Sequence, residues 1–526
     1  MTNECSRITK LAAIALALAS IAAAAEIVKI DSGALEGTLN SAGTVRIFRG
    51  VPFGAAPVGD LRWQAPQPVK AWTGVRKAQE FGPHCVQGNV FGDIYPRDKV
   101  MSEDCLNLTV WAPKHSARPR PVYLWFYGGG FAAGAEDEPR YDAESFARRG
   151  IVAVNANYRL GVFGFMAHPE LTKESGHDAS GNYGLLDQLA ALEWVRRNIA
   201  AFGGDPQKIT IGGESAGSLS VSALMASPLS RDLFQQAVGE SGAFLGAVGG
   251  RKMPSLADME KQGVALQAAM GVKSLAEMRA KSSDELLAAA SKISHGFGFW
   301  PGVDGYFLPA DVESIFAAGK QSKVPLLAGW NADEVRGQVL MAKEKPNAKT
   351  FPEQLQKQFK DRAADALKAY QASTDAEALQ SAGDLASDMF IVYPTWKWID
   401  MQVKTGEPVY RFEFDRPVPA NAALLKMGIK TMGSPHASEL EYVFDTQQSK
   451  KVEWQPGDQK TATQMNEYWA NFIKTGNPNG AGLAKWPDFT KTHEVMHLNA
   501  ESKALPEQHR DRYEFLESVE EAGGTK

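Results

Sequence analysis

The chain has 526 residues, 44% of them apolar and 22% charged, a composition that excludes a disordered or fibrous protein. Its 56 Lys and Arg stand against 61 Asp and Glu, a net charge of −5 with no long basic run. That balance sets aside nucleic acid and anionic membrane surfaces as partners.

In chain order, Arg7 and Lys10 flank the start of an apolar stretch, Leu11 to Ile21, of signal rather than membrane-spanning length. Ala23-Ala24-Ala25 then offers small residues for cleavage before Glu26. Residues 1–25 read as a signal peptide, the alternative being a buried N-terminal helix, and the mature chain is expected to be exported, secreted or periplasmic. No later apolar run approaches about 18 residues, so no membrane span is expected. Removal of Cys5 with the leader leaves Cys85 and Cys105 as a pair in an oxidising compartment, where a disulfide is expected in preference to two buried thiols. Closing a loop of about 20 residues stabilises a fold by roughly 3 kcal/mol in the chain-entropy model.

Val122 to Tyr127 and Ile151 to Val154 are short apolar runs bounded by Gly, Pro or Arg, the pattern of strands buried on both faces. Leu185, Leu189, Leu192, Val195 and Ile199 recur at helical spacing, Gly203-Gly204 ends that helix, and Lys208 to Ile211 reads as the next strand. Strand, helix, strand predicts a parallel α/β sheet. Residues 255–292 and 351–402 carry helical spacing without strand runs and read as helical excursions over the sheet. Without repeats, low-complexity tracts or linkers, residues 26–526 read as one large domain.

Two glycine-rich turns carry the chemistry. The strand ending at Ile211 runs into Gly212-Gly213-Glu214-Ser215-Ala216-Gly217, with a helical pattern from Leu219 to Met225 behind it. This is G-x-S-x-G between strand and helix, which lifts a serine onto a sharp, exposed turn; small neighbours are required where any side chain would collide. Alone, the pentapeptide also fits an ordinary turn. Tyr127-Gly128-Gly129-Gly130-Phe131 follows another buried strand, and consecutive glycines let bare N–H groups point into a site as oxyanion donors.

With these residues in place the sequence resembles the type-B carboxylesterase and cholinesterase family of α/β-hydrolases. The resemblance extends through Phe48-Arg-Gly-Val-Pro-Phe53, Leu61-Arg62-Trp63, Ser102-Glu-Asp-Cys-Leu106, Asn157-Tyr-Arg-Leu-Gly161, Gly181-Asn-Tyr-Gly-Leu-Leu-Asp187, Tyr468-Trp-Ala-Asn-Phe472 and Gly476-Asn-Pro-Asn479. It implies an α/β-hydrolase fold, a mostly parallel sheet with helices on both faces and helical insertions over the site. Gly329-Trp-Asn-Ala-Asp-Glu334 then supplies the triad acid at Glu334, with Asp333 as competitor, and Pro435-His-Ala-Ser-Glu439 the base at His436. Ser215, Glu334, His436 follow the hydrolase order of nucleophile, acid and histidine. Gly129, Gly130 and Ala216 are the implied oxyanion donors.

The implied reaction is hydrolysis of small-molecule carboxylic esters through an acyl-enzyme, with no cofactor and no metal. By the same resemblance Phe297-Gly-Phe-Trp300 forms the acyl pocket, with Phe297 or Phe299 as wall and Glu214 beside the nucleophile. Cholinesterases hold choline on a tryptophan in the loop between the paired cysteines, but residues 86–104 here contain Phe91 and Tyr95 and no tryptophan. Uncharged short or medium acyl esters with bulky or aromatic alcohols are therefore expected over choline esters.

Two other classes compete with this reading. His493-Glu494-Val-Met-His497 matches H-E-x-x-H, which on a helix would hold zinc with Glu494 as base and Glu517 as a third ligand. In the resembling family this stretch is a strand, so the histidines stand roughly 13 Å apart at about 3.3 Å per residue, too far for one ion. Adhesion proteins on the same scaffold have lost the nucleophile and would not require the intact triad, glycine loop and small elbow residues seen here. Asn107-Leu-Thr109 matches a glycosylation sequon but begins a predicted strand and is given no role.

Overall fold

Runs of β-branched and aromatic residues with no polar alternation build the centre of the molecule. The computed structural model describes residues 26–115, 117–293, 298–431 and 433–523, so the leader read at 1–25 lies outside the described residues. Twelve strands follow one another across the main sheet: β1 (Glu26–Ile30), β2 (Gly33–Leu39), β3 (Val45–Pro52), β4 (Asn107–Pro113), β5 (Arg120–Phe126), β6 (Val152–Ala156), β7 (Gly204–Glu214), β8 (Gln236–Glu240), β9 (Leu326–Asn331), β10 (Val409–Phe414), β11 (Glu494–Leu498) and β12 (Lys503–Pro506). Their order is β1-β2-β3-β4-β6-β5-β7-β8-β9-β10-β11-β12, with Val75–Lys77 alongside β2.

Pairs from β1 to β6 are antiparallel, those from β6 through β11 are parallel, and β12 returns antiparallel. Within the parallel part every residue of β6 and of β9 is buried, because crossover helices cover both faces. The predicted runs at 122–127 and 151–154 are β5 and β6 with small shifts in their ends. Helix Tyr183–Asn198 tightens into a 3-10 turn over Ile199–Phe202 and stops at Gly203, as the glycine pair predicted. All eleven residues of helix Ala216–Ala226 are buried; its alanines, serines and glycine let it lie close against the sheet. Its Ser220 and Ser222 hydroxyls bond to Ala216 and Leu219 carbonyls, so burial leaves them satisfied.

The excursions are helical: Leu256–Met270 and Ser283–Ile293 in the first, Thr350–Phe359, Asp375–Ser387 and Tyr393–Val403 in the second. A π-turn, Asp388–Val392, joins the last two. Cys85 and Cys105 are joined by a disulfide, with Cα atoms 5.0 Å apart. Arg159 grips Asp187 through Nε and Nη2, both at 2.8 Å, tying the segment after β6 to helix Tyr183–Asn198. Such a buried bidentate pair is strongly directional, which gives two of the motif blocks a scaffolding role. Asn107 of the sequon is buried at the start of β4 and donates to Pro83 and Cys105 carbonyls. Among the described residues no helix is long and apolar enough to cross a membrane.

Candidate active site

The carboxyl ends of β5, β7, β8 and β9 lie side by side, so the segments leaving these strands gather at one edge of the sheet. After β7 the chain turns at Ser215, φ 53° and ψ −121°, before helix Ala216–Ala226 begins. A non-glycine residue in that region is strained and persists only where its surroundings hold it. Here the Ser215 N–H donates to the Glu240 carbonyl at 2.8 Å, and its carbonyl accepts from Leu219 at 2.9 Å. The turn is also sterically exclusive: a Cβ on Gly217 would lie 1.9 Å from the Phe126 carbonyl oxygen.

Ser215 Oγ lies 2.9 Å from His436 Nε2, and His436 Nδ1 lies 2.6 Å from Glu334 Oε2. The residues are 221 and 102 positions apart in sequence, so only the sheet brings them together. Asp333, the competing acid, pairs with Arg336 at 2.8 Å and accepts the Ser434 N–H at 3.0 Å, which turns it away from His436.

Sequence reasoning missed the residues that hold Glu334. Its Oε1 accepts from Ser241 Oγ at 2.6 Å and from the Asn331 N–H at 2.8 Å. Asn331 Nδ2 in turn donates to Glu439 Oε2 at 2.5 Å and to the Pro435 carbonyl at 2.9 Å, joining the acid's strand to the histidine's loop. The one available signal for Ser241 was a Ser-Gly pair just after a buried strand, as Ser215 follows β7; Ser241 also has φ 53°. Phe390, from the π-turn, stands edge-on to the His436 ring at 5.1 Å.

Glu214 Oε1 lies 3.3 Å from His436 Nε2. Burial pushes the Glu214 carboxyl up to about 8. For His436 burial opposes the charged ring, but the carboxylates of Glu214, Glu334 and Glu439 outweigh it and raise the imidazole to about 9. The Glu214 carboxylate and the His436 imidazolium each favour the other's charged form. Burial also raises Glu439, to about 7.

A cavity of about 850 Å³ opens on this edge, and Gly129, Gly130, Glu214, Ser215, Ala216 and His436 all line it. Gly129 has φ +98°, and a Cβ there would sit 2.0 Å from the Ala133 carbonyl oxygen, so this loop conformation excludes any other residue. Phe299, expected as a pocket wall, instead lines a separate cavity of about 380 Å³ with Val86 and Leu287. Its neighbour Trp300 lines the Ser215 cavity in its place, the chain bending at Phe299 between them. Phe297 lies outside the described residues. Phe91 lines the cavity, whereas Tyr95 is 65% exposed.

The His493–His497 stretch is built differently. His493, φ 54°, closes the turn Phe489–Thr492, and Glu494 begins β11. His497 Nδ1 pairs with Asp415 Oδ2 at 3.1 Å. Glu517 belongs to the terminal helix Arg510–Gly523. Among the described residues no group of three His, Cys, Asp or Glu is placed to hold a metal ion.

Residues 24–516 match the model of the carboxylesterase family. The chain is 36% identical over 484 residues to the fumonisin B1 esterase of Sphingopyxis macrogoltabida, spanning 89% of this chain and 85% of that protein. It is 32% identical over 501 residues to the para-nitrobenzyl esterase of Bacillus subtilis (strain 168), spanning 90% and 95%. A solved carboxylesterase of Geobacillus stearothermophilus superposes with a TM-score of 0.80 at 31% identity, covering 92% of this chain and 99% of that one.

Proposed function

From the premise that this chain belongs to the carboxylesterase family and is a carboxylic ester hydrolase, we propose that Ser215, His436 and Glu334 form its catalytic triad. The observation that carries the reading is the continuous chain of 2.9 and 2.6 Å contacts from Ser215 through His436 to Glu334, opening on the cavity. Serine is a weak nucleophile at its own pKa, so attack needs a base within hydrogen-bond reach.

Ser215 Oγ bonds to the ester carbonyl carbon while His436 Nε2 takes its proton. The tetrahedral oxyanion is received by the N–H groups of Gly129, Gly130 and Ala216; removing one such donor typically costs about 100- to 1000-fold in rate. The C–O bond to the alcohol then breaks, and His436 returns the proton to the leaving alkoxide. A water attacks the acyl-enzyme with His436 again as base, the ester bond to Ser215 breaks, and carboxylic acid and free serine result. Glu334, fixed by Ser241 and Asn331, holds the Nδ1–H tautomer and stabilises the imidazolium. No step calls for a metal or an organic cofactor.

Residues 26–526 act as one catalytic domain, delivered across a membrane by residues 1–25, which are then removed. The Cys85–Cys105 disulfide supports export, since such bonds persist in oxidising compartments. The test is a fluorophosphonate ester probe followed by peptide mass spectrometry. The adduct is expected on Ser215, and an adduct on another serine would overturn the assignment.

A further inference from the structure

We propose that Glu240 holds a proton at neutral pH and shares it with Glu439, which makes Glu240 a positioning residue for the loop that carries His436. The proposal rests on the triad reading above, because what the shared proton steadies is the contact between Glu334 and His436.

Glu240 closes β8, where it stands level with Glu214 of β7 on one side and Gly329 of β9 on the other. Its backbone carbonyl is the acceptor that holds the Ser215 N–H. Its side chain meets helix Pro456–Thr475, where the Trp469 indole N–H donates to Oε1 at 2.8 Å. Trp469 comes from the Tyr468 to Phe472 motif block, which the triad itself does not use.

Glu240 and Glu439 are both fully buried and lie within hydrogen-bond reach of each other. Glu439 Oε2 takes the Asn331 amide and Glu240 Oε1 takes the indole, which leaves Glu240 Oε2 and Glu439 Oε1 without a donor among the described residues. Two carboxylates so placed would each carry a desolvated charge and repel the other. One proton between them removes a charge and the repulsion: a carboxyl O–H donates to the facing carboxylate, and the two orphaned oxygens satisfy each other.

The proton rests on Glu240. Glu439 accepts from Asn331, and the charge of His436 favours its ionised form. Glu240 has a neutral indole as its donor, and the titratable neighbours that bear on it, Glu439, Glu214 from β7 and Tyr123 from β5, include no cation. Burial, and after it the Glu439 carboxylate, push the Glu240 carboxyl well above the ordinary glutamate value. The pair acts on the site through Asn331, which binds Glu439 Oε2 and the Pro435 carbonyl by its amide and Glu334 by its backbone N–H. A Glu439 carboxylate fixed by Glu240 therefore steadies both ends of the acid–histidine contact.

The test uses Glu240→Gln and Glu240→Leu in the full chain. Glutamine keeps an acceptor for Trp469 and a donor for Glu439, as a protonated glutamate does, whereas leucine keeps neither. On a chromogenic ester Glu240→Gln is expected to turn over at least about tenfold faster than Glu240→Leu, the usual worth of a hydrogen bond to a charged group. The acid limb of its kcat/KM profile is expected to stay where wild type has it, since an ionised Glu240 would favour the imidazolium and its loss would move that limb down. Thermal unfolding gives a second reading. A carboxyl with a raised folded pKa keeps its proton in the fold and releases it on unfolding, so above the ordinary glutamate value the wild-type folding equilibrium weakens by about tenfold per pH unit until the folded value is reached. Glu240→Gln lacks that loss, and its Tm is expected to gain on wild type steadily between about pH 5 and pH 8. A Tm gap that stays constant or narrows as pH rises, an acid limb moved down in Glu240→Gln, or a leucine variant as fast as the glutamine variant would overturn the proposal. Should Glu240→Leu fail to fold, the limb and the Tm gap of Glu240→Gln still decide. Failure of the triad reading is read separately, as turnover that survives Ser215→Ala, on which the Tm gap does not depend.

Discussion

His436 and His497 invite direct comparison. Each points Nδ1 at a carboxylate, Glu334 at 2.6 Å and Asp415 at 3.1 Å, and the carboxylates raise each above the ordinary histidine value against the opposing effect of burial. What separates them is the other ring nitrogen. His436 Nε2 meets Ser215 Oγ at 2.9 Å, and the side chain is 24% exposed because it opens on the cavity; that of His497 is 11% exposed and lies in β11 beyond β10. A histidine–carboxylate pair is thus half of a catalytic arrangement. In the proposed reading the second half is a nucleophile, and of these two histidines it is His436, at the carboxyl edge of the central strands, that meets one.

The largest effect expected of this contrast is in Ser215→Ala and His436→Ala, each lowering kcat by about a millionfold, since triad members act as a unit. Steady-state kinetics on a chromogenic ester would show it, and a variant retaining a tenth of wild-type turnover would break the contrast. Glu334→Gln is expected to lower kcat by about ten-thousandfold through the wrong tautomer, with circular dichroism unchanged.

Next in size is a pH effect. His436 works as a base only when neutral, and its raised pKa of about 9 places the acid limb of kcat/KM above the ordinary histidine range. Glu214→Gln removes the largest influence that favours the imidazolium, so that limb is expected to move down by about one unit. A limb that stayed put or moved up would show that Glu214 does not set the charge of His436.

The smallest effect belongs to the other histidine. His497→Ala is expected to keep turnover within about threefold, with or without EDTA dialysis, and to lose about 1 kcal/mol of stability in urea titration. His497 has a raised folded pKa, so its contribution is full below about pH 6.5 and fades as pH rises through the folded value. The gap between wild type and variant should therefore be wider at pH 6 than at pH 9. Zinc-dependent turnover lost in His497→Ala would erase the distinction between the two sites.

Parts of this molecule were legible because their causes are local. The strand before Ser215 and the helix after it were written in adjacent residues, as was the glycine loop, since a close backbone approach demands glycine at the position itself. The end of the long helix at Gly203 was equally local. Ser241, Asn331 and Glu439 were not legible: their roles arise from side chains that meet only when β8, β9 and the loop after Ser434 converge. The side of the chain that Phe299 and Trp300 each face was hidden for a related reason, because an irregular bend carries no periodicity from which to read it.

Length, periodicity and glycine placement by themselves determined a parallel α/β sheet with a serine on a strained turn, since backbone sterics and hydrophobic spacing act within a few residues. Matched motif blocks added the order of serine, acid and histidine. Only the tertiary structure decided that Glu334 and not Asp333 reaches His436, that His497 faces Asp415, and that Trp300 and Arg251 share a cavity with Ser215. Those choices depend on distances of a few ångströms between residues up to 221 positions apart, and it is strand order and packing that bring such residues together.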